Sequence, residues 1–195
     1  MGKPIIIPNG FQDTLTGHLL IATPQLQDGL FDRSVIYMCA HNQEGAMGFI
    51  VNTPIDRISL KDILDQLQMR QNVGDRELPV MFGGPVEPHR GFVIHNGEFL
   101  QDTALATSAG ITVTANSAAL TGWMEGEFTA RAMLVLGYAG WVGGQLESEI
   151  ESGSWVTAPA TERLLFDTPP DERWDLAVAS LGFDMGNFSA TVGHA

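Results

Sequence analysis

Tyr37, Cys39 and His41 alternate along the apolar run 34–41, and on an extended strand residues two apart point to the same face. Their Cα atoms then stand about 7 Å apart, from a rise of about 3.3 Å per residue. That spacing lets a protonated imidazole stabilise a thiolate, the reactive form of a cysteine. Asn42 ends the run and Arg90 heads a second one, so Tyr37, Cys39, His41, Asn42 and Arg90 make up a candidate redox or ligand site. The strand pattern turns Cys39 towards the more polar face and leaves Ile36, Met38 and Ala40 to meet the core. The alternative is that Cys39 is a small buried hydrophobe, which is what free cysteines usually are. Arg90 either binds an anion or forms a structural ion pair, and the ion pair is the default.

Glycines mark a second candidate. Gly83-Gly84-Pro85 and the stretch 137–144, which contains Trp141, could bring backbone amides close to an anion where the second segment opens a helix. Gly83, Gly84, Trp141, Gln145 and Glu147 are therefore a candidate binding loop. Neither segment has the spacing of a Walker or dinucleotide motif, and tight turns that let strand and helix pack closely explain both without a ligand. Glu147, Glu149 and Glu151 read as a solvated acidic face. The five histidines show no His-x-x-x-His spacing, so no metal and no cofactor is expected, and no catalytic residue is assigned.

These groups must be held by a chain of 195 residues with 44% apolar and 17% charged composition, an ordinary globular balance. A single domain over 1–195 is expected. The net charge of −13 disfavours direct DNA binding, because non-specific nucleic-acid affinity comes mainly from Lys and Arg displacing counterions. No apolar stretch reaches the roughly 18 residues of a membrane span, and no signal segment opens the chain. One cysteine excludes an internal disulfide. A cytoplasmic protein is expected.

Apolar runs bounded by Gly, Pro, Asn and Asp predict strands over 18–22, 34–41, 45–52, 79–82, 91–95, 111–114 and 131–138. Turn residues at 41–45 join the second and third as a hairpin. Helical periodicity and caps predict helices over 59–69, from Asn116 or Ser117 to Met124, and over 143–152 with Leu146 and Ile150 inward. A last helix follows Thr168-Pro169-Pro170-Asp171 and stops at Gly182. Trp123, Trp141, Trp155 and Trp174 are expected as core or interface anchors.

The ordered blocks Leu15-Thr16-Gly17-His18-Leu19-Leu20, Phe31-Asp32-Arg33-Ser34-Val35-Ile36, Gly83-Gly84-Pro85-Val86, Arg90-Gly91-Phe92-Val93 and Leu136-Gly137-Tyr138-Ala139-Gly140-Trp141 resemble the AlgH/YqgE family. The resemblance covers about residues 11–182. One departure is local: where the family usually reads Ser-x-Asp-x-Leu, this chain has Asn116-Ser117-Ala118-Ala119-Leu120. The resemblance implies an α+β fold with a branched mixed β-sheet, part of it closed into a small barrel, surrounded by helices. It implies a bacterial family, mostly uncharacterised, whose label of transcriptional regulator derives from a link to alginate production, and it supplies no catalytic residues. The function expected is that of a non-enzymatic regulatory or interaction protein acting through a protein partner. The alternative is a small-molecule-binding protein, or a cysteine-dependent enzyme or redox sensor, around Cys39 and His41.

Overall fold

The computed structural model describes residues 15–26, 29–56, 62, 78–96, 104–108, 110–115, 117–126 and 131–182. The helix expected over 59–69 lies outside the described residues except at Asp62. Described strands are β1 His18–Ala22, β2 Val35–Asn42, β3 Gly45–Ile50, β4 Val80–Phe82, β5 Val86–Asn96, β6 Ala106–Ser108, β7 Ile111–Thr114, β8 Ala132–Val142 and β9 Trp155–Pro159. The helices are α1 Ser117–Glu125, α2 Gln145–Glu151 and α3 Arg173–Ser180, and a π-helical turn at Arg163–Asp167 and a 3-10 turn at Pro170–Glu172 lead from β9 into α3.

The strands run in the order β6-β7-β5-β8-β3-β2-β1-β9, with β4 paired to β8 outside that path. All neighbours are antiparallel except β4 and β8, which are parallel. The sheet branches on β8. Its first half pairs with β4 at Leu134, Val135 and Leu136, and its last four residues pair with β3. The N–H of Gly83 donates to Leu136 O at 2.7 Å, and that of Ile50 donates to Gly83 O at 2.9 Å, so Gly83 joins the two branches. Gly137 holds φ at +72° beneath Gly84, and a Cβ on Gly137 would collide with the Gly84 carbonyl. These glycines are required by crossing backbones.

The expected small barrel is not formed by the described strands. β9 pairs only with β1 and β6 only with β7, whereas closure requires the two terminal strands to pair with each other. The branch at β8 spreads the sheet instead. β8 also runs four residues beyond the expected end at Tyr138, because Ala139 to Val142 bond to β3 rather than turning.

Both faces of the central strands are covered, as mixed sheets allow. Leu19, Ile21, Val35, Tyr37 and Phe49 pack on one face with Leu164 and Leu165 of the π-helical turn and Ala177 of α3. Leu20, Ala22, Ile36, Met38 and Ile50 pack on the other with Trp141, Trp155 and Leu146 of α2. A third cluster joins Val80, Val93 and Leu134 to Ala119, Leu120 and Trp123 of α1. Arg173 pins α3 in place: it is 4% exposed, its Nε donates to Thr168 O at 2.9 Å and its Nη1 to Val51 O. Burial pulls its guanidinium down to about 10, so it stays charged at neutral pH.

Candidate functional site

Cys39 sits in a break of strand pairing. Met38 opposes Gly48 and Ala40 opposes Met47, leaving Cys39 as the extra residue of a β-bulge. Cys39 and Ala40 consequently pack on the same side as Tyr37. The alternation flips after them, and His41, opposite Ala46, joins the face covered by α2, where Ala46 and Leu15 pack. The expected shared face of Cys39 and His41 is thus corrected: the bulge puts them on opposite sides of the sheet. Cys39 is fully buried, and burial pushes its thiol up to about 12. The same burial, with the neighbouring Cys39 as a lesser cause, raises the Tyr37 hydroxyl, which has no hydrogen-bond partner among the described residues.

His41 instead closes a clasp. Its Nδ1 accepts from Leu15 N–H at 3.1 Å and its Nε2 lies 2.8 Å from Glu147 Oε1. A donor on Nδ1 assigns the proton to Nε2, the tautomer that donates to the carboxylate. Glu147's own backbone N–H, and after it His41, hold the Glu147 carboxyl below its usual range. Asn42 Oδ1 accepts from Glu44 and Gly45 N–H at 2.7 and 3.2 Å, fastening the two-residue turn of the β2–β3 hairpin.

Glu149, read from sequence as part of a solvated face, is the centre of a second clasp. Its Oε2 accepts from the indole N–H of Trp141 and of Trp155, each at 2.8 Å, and its Oε1 accepts from Gln145 Nε2 at 2.9 Å. Gln145 Oε1 in turn accepts from Val142 N–H at 3.1 Å. The two indoles meet edge to face at 6.3 Å. Trp141, Gln145 and Glu147 of the expected binding loop are therefore together, with His41, on α2 and its neighbours. Gly83 and Gly84 are not with them; they stand at the branch of the sheet. Trp155 is the buried anchor expected of it, but nothing in the local sequence ties it to Glu149, because what unites them is a carboxylate aimed between two indoles from separate strands.

Arg90 is also elsewhere. Its Nη1 donates to Glu87 Oε2 at 2.9 Å, and its guanidinium lies 5.2 Å from the Phe92 ring. It belongs to an irregular stretch of β5 where pairing skips from Val86 to Gly91.

One groove opens on the outer strand. It runs between β9 and α3, encloses about 760 Å³, and is lined by Ala158, Leu164, Leu176 and Leu181 with Arg163 at its rim. Among the described residues no three His, Cys, Asp or Glu side chains gather as metal ligands, and no helix is long and apolar enough to cross a membrane.

The profile of the AlgH-like family matches residues 19–186. A UPF0301 protein of Thioalkalivibrio sulfidiphilus is 41% identical over 180 residues, covering 92% of this chain and 96% of its own. Another from Idiomarina loihiensis is 43% identical over 185 residues, 94% of this chain and all of its own. The solution structure of the AlgH protein from Pseudomonas aeruginosa matches with a TM-score of 0.76 at 34% identity, over 97% of this chain and 100% of that one. A crystal structure of a Corynebacterium diphtheriae protein, 20% identical, shares the fold with a TM-score of 0.70 over 92% and 93% of the two chains.

Proposed function

The chain belongs to the AlgH-like family, and from that premise we propose that it is a non-enzymatic regulatory protein of the cytoplasm that acts by binding another protein. The observation that carries this reading is how its chemistry-bearing side chains are engaged. Cys39 is sealed in the core, His41 and Glu147 fasten α2 to the chain at Leu15, Glu149 fastens it to two tryptophans, and Arg90 is held by Glu87. A reaction needs a nucleophile or base poised beside a position a substrate can occupy; these groups are spent on stability. The groove along the outermost strand supports the interaction side of the reading, since apolar surface left open on a soluble domain marks binding sites.

Any influence on transcription is indirect in this account, because a chain of charge −13 repels the phosphate backbone. The single cysteine supports a reducing compartment. Affinity capture at native abundance and low salt tests the reading. A specific partner recovered repeatedly is expected, and repeated recovery of none overturns it.

A further inference from the structure

We propose that the groove between β9 and α3 receives an extended segment of a partner protein, apolar at alternate positions and bearing a carboxylate, which adds to β9 as a further strand. This rests on the interaction reading above and names its surface.

Among the described strands β9 is the last of the sheet. Thr23 N–H donates to Ser154 O at 3.0 Å and Ala160 N–H to Gly17 O at 3.2 Å. With Ala22 opposite Trp155 and Leu19 opposite Ala158, the alternation of an antiparallel ladder makes Val156 and Ala158 the residues that bond to β1. The N–H and C=O of Trp155 and Thr157 then point away from the sheet, in the arrangement an added strand requires. Natural edges are usually blunted by charge, proline, a bulge or a covering element. β9 carries no charge, and its one proline, Pro159, stands at its end.

The side chains supply the rest. Ala158, Leu164, Leu176 and Leu181 line the groove beside this edge, offering apolar contact to every second residue of an incoming strand. Charge then selects among occupants. Arg33, Arg90 and Arg131 pair with Asp175, Glu87 and Asp167, and Arg173 bonds to carbonyls. Arg163 is the exception among the described residues. Its guanidinium has no such partner there, although acidic residues outnumber basic ones 23 to 10, and among the described residues it is the sole charged one lining the groove. It suits a carboxylate brought by the occupant. A second copy of this chain fits poorly: its own β9 bears no carboxylate, and it repeats a net charge of −13.

A phage-displayed random dodecapeptide library selected on the full chain, followed by anisotropy titration of the selected peptides, tests the proposal. Peptides with alternating apolar residues and an Asp or Glu are expected. Thr157→Pro removes an N–H that serves no bond to β1, and Arg163→Glu reverses an exposed charge; each is expected to weaken binding about tenfold or more with unchanged circular dichroism and melting. Amide exchange at Thr157 is expected to be fast in the free chain and slowed by peptide. A library that yields no binder, or peptides that bind both variants as tightly as the wild type, overturns the proposal. Protection of Thr157 in the free chain also overturns it, in favour of the chain's own segment 183–195 if independent of concentration and of a second copy if it grows with concentration. A captured protein partner that is indifferent to Thr157→Pro sinks this surface while the interaction reading stands; absence of any partner sinks the reading itself.

Discussion

Cys39 and His41, two residues apart on one strand, face opposite sides of the sheet, because the bulge between Met38 and Ala40 inserts a residue into the alternation. Cys39 joins the cluster under α3, and His41 joins Leu15 and Glu147 on the face under α2. What looks in the sequence like a thiol and its activating base is, in the fold, a core residue and a clasp.

The clasp gives a pH signature. Glu147's carboxyl is held below its usual range, so its contribution is fully present above the unfolded carboxyl value and is lost as pH falls through the lower folded value. Glu147→Gln should therefore lower stability at neutral pH, by less than about 1 kcal/mol because the carboxylate is half-exposed. The difference should shrink as pH falls below the ordinary carboxyl range and through the lower folded value. Urea titrations of both proteins from pH 3 to pH 7 measure it.

Glu149 should matter more than either neighbouring glutamate. Its removal leaves the indole N–H groups of Trp141 and Trp155, which are 8% and 2% exposed, without their acceptor. Glu149→Ala should cost about 2 kcal/mol or more and change the tryptophan emission. Glu151→Ala, on the exposed side of α2, should stay within about 0.5 kcal/mol of wild type.

Gly137→Ala tests the branch of the sheet. The substitution forces a left-handed backbone on alanine, costing about 1–2 kcal/mol, and drives a methyl into the Gly84 carbonyl. A loss of about 3 kcal/mol or more, or failure to fold, is expected in thermal melts.

Alkali should unfold the protein through its core. The Cys39 thiol titrates at about 12 when folded against a usual value of 9.0, so the folded chain keeps a proton that the unfolded chain has lost. Stability is complete below about pH 9 and falls as pH rises towards 12, with a slope near 1.4 kcal/mol per pH unit from this group. Cys39→Ala should begin less stable yet show a shallower fall, as measured by urea titration at pH 8 to 10.5.

The sequence made the regular parts legible. Apolar runs bounded by turn residues located β1, β2, β3, β4 and β7 to within a residue or two at each end, and spacing located α2 with Leu146 buried. β9 escaped because Trp155-Val156-Thr157-Ala158-Pro159 is short, lies between helices and ends in proline. β6 escaped because Ala106-Thr107-Ser108 carries no large apolar residue to set it apart from the polar stretch around it. The expected shared face of Cys39 and His41 failed because a bulge has no signature in composition, and one extra residue reverses every later side chain. Glu149 and Arg163 were invisible for a different reason, since their roles depend on what distant segments bring to them.

The central claim, that the chain's reactive-type residues serve the fold and not a reaction, is tested most directly by the alkylation rate of Cys39 in native protein. Iodoacetamide labelling near neutral pH should be negligible until the protein is denatured, because the thiol is buried and little of it ionises. His41→Ala should leave that resistance unchanged, since His41 lies across the sheet. Rapid labelling of the native wild type that slows in His41→Ala would contradict the account and restore a thiol activated by its imidazole.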